Sequence, residues 1–173
     1  ETLKKGRSAI FFSATLTPLD YFKEILGGSE DDYTARAPSP FDSDNLGLFI
    51  VDNISTRYKD RNNTYKDIVK YIEETVKAKQ GNYLVFFPSY KYMELVHEEF
   101  SERNPDIKII LQSSSMKEDE REVFLEEFSD NGETMVAFAV LGGIFSEGID
   151  LIGDKLIGAI IVGVGLPQIC LER

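Results

Sequence analysis

Thr134-Met135-Val136-Ala137-Phe138-Ala139-Val140-Leu141 runs without a break into Gly142-Gly143-Ile144-Phe145-Ser146-Glu147-Gly148-Ile149-Asp150. From Met135 to Leu141 no residue is polar, which is the pattern of a strand covered on both faces. Two glycines then free the backbone, and Ser146, Glu147 and Asp150 follow within a few positions. Open α/β sheets carry their ligand chemistry where a strand empties into a Gly-rich polar loop.

The same alternation recurs outward from this stretch. Tyr83-Leu84-Val85-Phe86-Phe87 reads as a short apolar strand, turned by Pro88-Ser89-Tyr90 into a helix from about Lys91 to Glu102. Ile107 to Leu111 and Ile157 to Val162 read as further strands. Lys117 to Phe128 is an amphipathic helix with Val123, Phe124, Leu125 and Phe128 on or near its inner face. Thr64 to Lys79 is a strong helix, with Ile68, Tyr71, Ile72 and Val76 at helical spacing and Gly81 as its stop. Two more strands are predicted nearer the start, Ser8 to Phe12 and Leu46 to Asn53. A short helix follows Thr17-Pro18, with Thr17 as N-cap and Pro18 at N1, and Gly27-Gly28 closes it. Apolar strands alternating with helices predict an α/β fold, a mostly parallel sheet flanked by helices on both faces. The whole span 1–173 reads as one domain.

Composition narrows the chemistry. One cysteine, Cys170, excludes an internal disulfide and a Cys-rich metal site, and the single histidine, His97, falls within a predicted helix. A Ser-His-acid hydrolase and a His-based metal centre are therefore unsupported, and no Gly-x-Ser-x-Gly elbow occurs. No apolar run reaches the roughly 18 residues of a membrane span, and no signal peptide is visible. Glu1 at the first position points to an upstream start. The net charge of −11 opposes non-specific binding to nucleic acid. The acidic runs Glu30-Asp31-Asp32, Glu98-Glu99 and Glu118-Asp119-Glu120 read as solvated helix faces or loops.

Three loops follow predicted strands: Ser13-Ala14-Thr15, Pro88-Ser89-Tyr90 and Gly142 to Asp150. In a parallel sheet such ends share one edge, so the three are expected to converge. Ser13, Thr15 and Ser89 offer hydroxyls to phosphate oxygens, while Glu147 and Asp150 can accept from ribose hydroxyls or hold a cation. Taken singly, such residues are more often turn or cap residues. Tyr90 and Phe87 can stack bases or fill a core. No Gly-x-x-x-x-Gly-Lys-Ser/Thr phosphate loop is present. Gly163-Val164-Gly165-Leu166-Pro167 is close to a dinucleotide fingerprint, but Pro167 and Gln168 stand where that motif opens into a helix with a third small residue.

Ser13-Ala14-Thr15-Leu16-Thr17-Pro18-Leu19-Asp20 resembles motif III of the XPD/DinG branch of superfamily 2 helicases. Phe86-Phe87-Pro88-Ser89-Tyr90-Lys91-Tyr92-Met93 resembles its motif IV region, Gly142 to Leu151 its motif V, and Leu156 to Pro167 the strand that follows. The resemblance runs in order along nearly the whole chain. It implies the second RecA-like motor domain of an ATP-dependent DNA helicase that translocates on single-stranded DNA and unwinds duplex. It further implies ATP and Mg²⁺ bound between this domain and a first motor domain of the same polypeptide. That first domain would carry the phosphate loop and, in some members, an iron–sulfur cluster. The family's motif VI arginines are expected beyond Arg173, so the isolated chain is expected to be inactive.

By resemblance, Ser13 and Thr15 couple nucleotide state to domain closure. Glu147, Gly148 and Asp150 line the nucleotide cleft, and Ser89, Tyr90 and Ser146 contact DNA. No membrane partner is implied. The compartment follows the source: cytoplasmic in a prokaryote, nuclear in a eukaryote. Two other readings stay open. One is a degenerate RecA-like module acting as a non-catalytic binding scaffold. The other is a small-molecule enzyme using the Gly163 loop.

Overall fold

The computed structural model describes residues 5–129, 132–145 and 149–165. The chain divides into two units, Glu1–Phe49 and Ile50–Arg173. In the first, helix α1 (Leu19–Ile25) buries no residue, and a 3₁₀ turn covers Ser43–Asn45. Pro18 has extended backbone (φ −71°, ψ 141°) and is itself the residue flanking α1. It does not occupy the first helical position, so the expected Thr17 cap is displaced by one residue. Lys23 ties the chain after α1 back to it, donating to the carbonyls of Glu30 (3.1 Å) and Asp32 (2.7 Å). The Ser29 amide and hydroxyl both donate to Asp32 and hold its carboxyl below the usual range.

The strands expected at Ser8–Phe12 and Leu46–Asn53 do not form among the described residues. Their apolar side chains stand in solvent, with Phe12 91% and Phe49 90% exposed. A strand's backbone needs a hydrogen-bonded neighbour, and neither segment has one among the described residues.

The second unit holds the sheet. Helix α2 (Arg61–Ala78) leads to strand β1 (Asn82–Phe87), helix α3 (Tyr90–Arg103) and strand β2 (Lys108–Leu111). Helix α4 (Glu118–Glu126), strand β3 (Met135–Val140) and strand β4 (Gly158–Ile161) follow. The order is β2-β3-β1-β4, all parallel, with Tyr83 opposite both Val136 and Gly158. Every residue of β3 is buried, as its unbroken apolar run predicts.

Pleating sorts β3 onto two cores. Val136, Phe138 and Val140 face α2 and α3, where Phe138 meets Phe87 and Phe100 at 5.7 Å each. Met135, Ala137 and Ala139 face the other way, and the two small residues leave room for Phe124, Phe128 and Phe145. Helices therefore cover both faces, the α/β RecA-like arrangement expected from the sequence. Two predicted core positions are corrected. Val123 is 59% exposed and Tyr71 41% exposed, because each lies off the helical stripe that meets the sheet. Glu73 takes an unexpected buried place on α2, paired with the Arg103 guanidinium at 2.9 Å and accepting a hydrogen bond from the Asn104 side-chain amide at 2.8 Å.

Candidate functional site

Adjacent central strands β1 and β3 send their chains to opposite faces of the sheet. After β1 the chain enters α3 on the Phe138 side; after β3 it passes to Phe145, packed 4.3 Å from Phe124 of α4 on the other side. The order also reverses here, since β1 connects outward to β2 and β3 connects across to β4. Such a switch point opens a crevice beyond the carboxyl ends of the two strands, the usual ligand position in an open α/β sheet.

At this edge the strand exits are tightly joined. The Leu141 amide donates to the Phe87 carbonyl at 2.8 Å, joining the two exits. A Cβ on Gly165 would come within 3.0 Å of the Leu141 side chain, so the loop after β4 closes onto the same point. Ser89 precedes α3 with extended backbone and makes no side-chain cap to the helix, which leaves its hydroxyl available to a ligand. Tyr90 is half-buried, and burial pushes its phenol up. It therefore remains a neutral donor while accepting from Gln112.

Gln112 escaped the sequence reading. It is 3% exposed, directly after β2; its Oε1 accepts the Val140 amide at 2.8 Å and its Nε2 donates to the Tyr90 hydroxyl at 3.0 Å. One buried amide thus links the motif IV tyrosine to the last residue of the strand that feeds motif V. Gly143 lies against it: an added Cβ would meet Gln112 Nε2 at 2.9 Å. Part of the signal was present, since Gln112 opens a polar loop at the end of an apolar strand, as the loops of Ser13 and Ser89 do.

The loop from Gly142 is entered through a left-handed glycine (φ +75°) and anchored by Phe145, buried in the α4 core. Arg121 of α4 donates to the Ile144 carbonyl at 3.1 Å. Ser146, Glu147 and Gly148 lie outside the described residues, as do Leu166, Pro167 and Cys170. Ile149 and Leu151 pack on the α4 side of the sheet, and Asp150 between them is exposed. Ser13 and Thr15 belong to the first unit, where their hydroxyls pair at 3.1 Å and the Thr15 amide donates to Ser13 at 3.2 Å. Of the expected loops, then, those of Ser89-Tyr90 and Gly142 share one sheet edge.

Other features do not compete with this edge. A cavity of about 460 Å³ lined by Lys77, Arg103 and Thr134 lies at the amino ends of the strands, and its Arg103 is committed to Glu73. His97 packs edge-on against Phe138 at 5.8 Å, and burial lowers its pKa despite the opposing charge of Glu98. It is a half-buried imidazole on α3, packed at the edge of the core. Among the described residues no three His, Cys, Asp or Glu side chains gather to hold a metal ion. Asp150 is the described carboxylate of the loop, so these residues do not by themselves compose a Mg²⁺ site. No helix among the described residues is long and apolar enough to cross a membrane.

Residues 72–172, more than half of the chain, match the helicase C-terminal domain family. The chain belongs to that family. This helicase domain is 27% identical over 199 residues to the ATP-dependent DNA helicase CHL1 of Coccidioides immitis, covering 96% of the chain and 22% of the relative. It is 30% identical over 182 residues to the ATP-dependent DNA helicase DinG of Photobacterium profundum, covering 98% and 25%. A third relative is the 3'-5' exonuclease DinG of Staphylococcus epidermidis, 32% identical over 107 residues, covering 59% and 12%. The helicase domain thus spans a quarter or less of the length of these curated relatives.

Proposed function

We propose that the chain is the second motor half of an ATP-dependent DNA helicase, contributing one wall of a nucleotide site and part of a single-stranded DNA track. The observation that carries this is the switch point: the motif IV and motif V loops leave adjacent strands at one crevice, joined through Leu141 and Gln112. The relatives named as ATP-dependent DNA helicases support the assignment.

In this account Asp150, exposed at the end of the motif V loop, faces the nucleotide cleft together with Glu147 and Gly148. There it orients ribose hydroxyls or the basic groups that contact phosphate. Ser89 and Ser146 offer hydroxyls to the DNA backbone, and the Tyr90 ring meets a base. Ser13 and Thr15 report nucleotide state to the domain pair. ATP supplies the free energy through phosphoryl transfer, with Mg²⁺ held mainly by a first motor domain that carries the phosphate loop.

Asp150→Ala in the helicase assembled with its first motor domain tests the site. ATP turnover stimulated by single-stranded DNA is expected to fall at least about tenfold, the scale of losing one positioned charge. Thermal stability should not move, because Asp150 is exposed. Wild-type turnover would remove Asp150 from the nucleotide site.

A further inference from the structure

A cationic corner stands at the same sheet edge of this acidic chain. The turn Ser55-Thr56-Arg57-Tyr58-Lys59-Asp60-Arg61 holds three cations and one carboxylate, within a chain of net charge −11. Its lone acid is occupied, since Ser55 Oγ donates to Asp60 Oδ2 at 2.6 Å. Thr64 Oγ1 donates to the Ser55 carbonyl at 2.8 Å, and the Asp60 amide to the Arg57 carbonyl at 2.9 Å. These bonds fix the turn, so what it presents is pre-organised.

It presents Arg57, Tyr58 and Lys59, all exposed, with Tyr58 80% accessible. Arg61 backs them. Its Nε donates to the Thr56 carbonyl at 3.2 Å, and its guanidinium lies 5.5 Å from the Tyr58 ring and 4.6 Å from the Tyr92 ring. Arg57, Lys59 and the exposed Lys91 have no ion pair among the described residues. Two contacts place the turn on the carboxyl edge of the sheet. The Tyr92 ring meets Phe87, at the end of β1, at 5.8 Å, and a Cβ on Gly163, just past β4, would come within 2.9 Å of Thr56 Oγ1.

An exposed aromatic flanked on each side by a cation matches the alternation of base and phosphate along a single strand. From this juxtaposition we propose that the Arg57–Lys59 turn, backed by Arg61, is a single-stranded nucleic-acid clamp. Tyr58 stacks a base, and Arg57 and Lys59 pair with the flanking phosphates. The proposal deepens the helicase assignment by extending its DNA track beyond Ser89 and Tyr90, and it rests on that assignment.

The test is fluorescence anisotropy of the 173-residue chain with a labelled oligothymidylate, at low ionic strength and across a salt series. The double variant Arg57→Glu/Lys59→Glu is expected to bind at least about tenfold more weakly, and its log-log salt slope should fall by about 1.4, two phosphates' worth. Tyr58→Ala is expected to bind about tenfold more weakly with an unchanged slope, since stacking releases no counterions. Lys77→Glu, at the opposite sheet edge, should leave binding alone. All four positions are exposed, and circular dichroism melting confirms folding; Arg57→Gln/Lys59→Gln serves if reversal unfolds the chain. Wild-type binding that these variants do not weaken would overturn the clamp and leave the helicase assignment standing. Equal competition by polyglutamate would also overturn it, since the corner would then be a general anion acceptor. A wild-type chain that does not bind even at low salt would overturn both the clamp and the DNA-track part of the assignment.

Discussion

At the scale of single residues, Gln112 is the side chain on which the crevice depends most. Gln112→Leu keeps the volume but leaves the Val140 amide buried without its acceptor. An unsatisfied buried donor costs about 1–3 kcal/mol, so urea denaturation should show a loss of that size. Gly143→Ala pushes on the same amide, and the two substitutions should be non-additive in a double-mutant cycle. His97 gives a second expectation. Burial holds its folded pKa below the ordinary 6.5, so the unfolded chain binds the proton more readily. Its contribution to stability is therefore complete above pH 6.5 and is lost as pH falls below that value toward the folded pKa. His97→Gln should flatten the melting temperature in that window. An unchanged pH dependence would show that other groups carry it.

At the scale of elements, β3 carries the architecture. Phe138 is fully buried and stacks on Phe87 at 5.7 Å with an interplanar angle of 10°. Phe138→Ala should cost about 3–5 kcal/mol in chemical denaturation, the usual penalty for emptying a packed aromatic site. Strands β1 to β4 and helices α2 to α4 were legible because each carries its own signal, a continuous apolar run or a helical stripe. Ser8–Phe12 and Leu46–Asn53 carry the same apolar signal and form no strand. Composition records that a segment can pair, but not whether a neighbour is at hand. The periodicity error at Val123 and Tyr71 is of another kind. Both sit beside a true inner-face residue, and a stripe about 100° wide does not reach them. The place of Gln112 just after β2 was visible, but its bonds to Tyr90 and Val140 join distant segments, which no local pattern encodes. The Thr56–Arg61 turn is tied by short-range bonds, and its contacts with Tyr92 and Gly163 are the part no local pattern encodes.

At the scale of the whole molecule, the acidic balance and the cationic corner describe one design. A surface of net charge −11 suppresses non-specific adhesion to nucleic acid. Hydroxyls, main-chain amides and a few placed cations at one edge can still hold a strand. The sequence located that edge through Ser89, Tyr90 and the Gly142 loop, and it located a likeness to helicases through the order of three motifs. The resemblance gives Asp150 a place at a nucleotide cleft and Ser13 and Thr15 a part in domain closure, roles that belong to an assembled motor and are tested there.

ATP turnover, followed with and without single-stranded DNA, tests that claim most directly, comparing the purified chain with the same chain joined to its first motor domain. The chain alone should not hydrolyse ATP, and the joined protein should turn it over faster when DNA is added. DNA-stimulated hydrolysis by the chain alone, or a joined protein that does not hydrolyse ATP, would contradict its role as one half of a helicase motor.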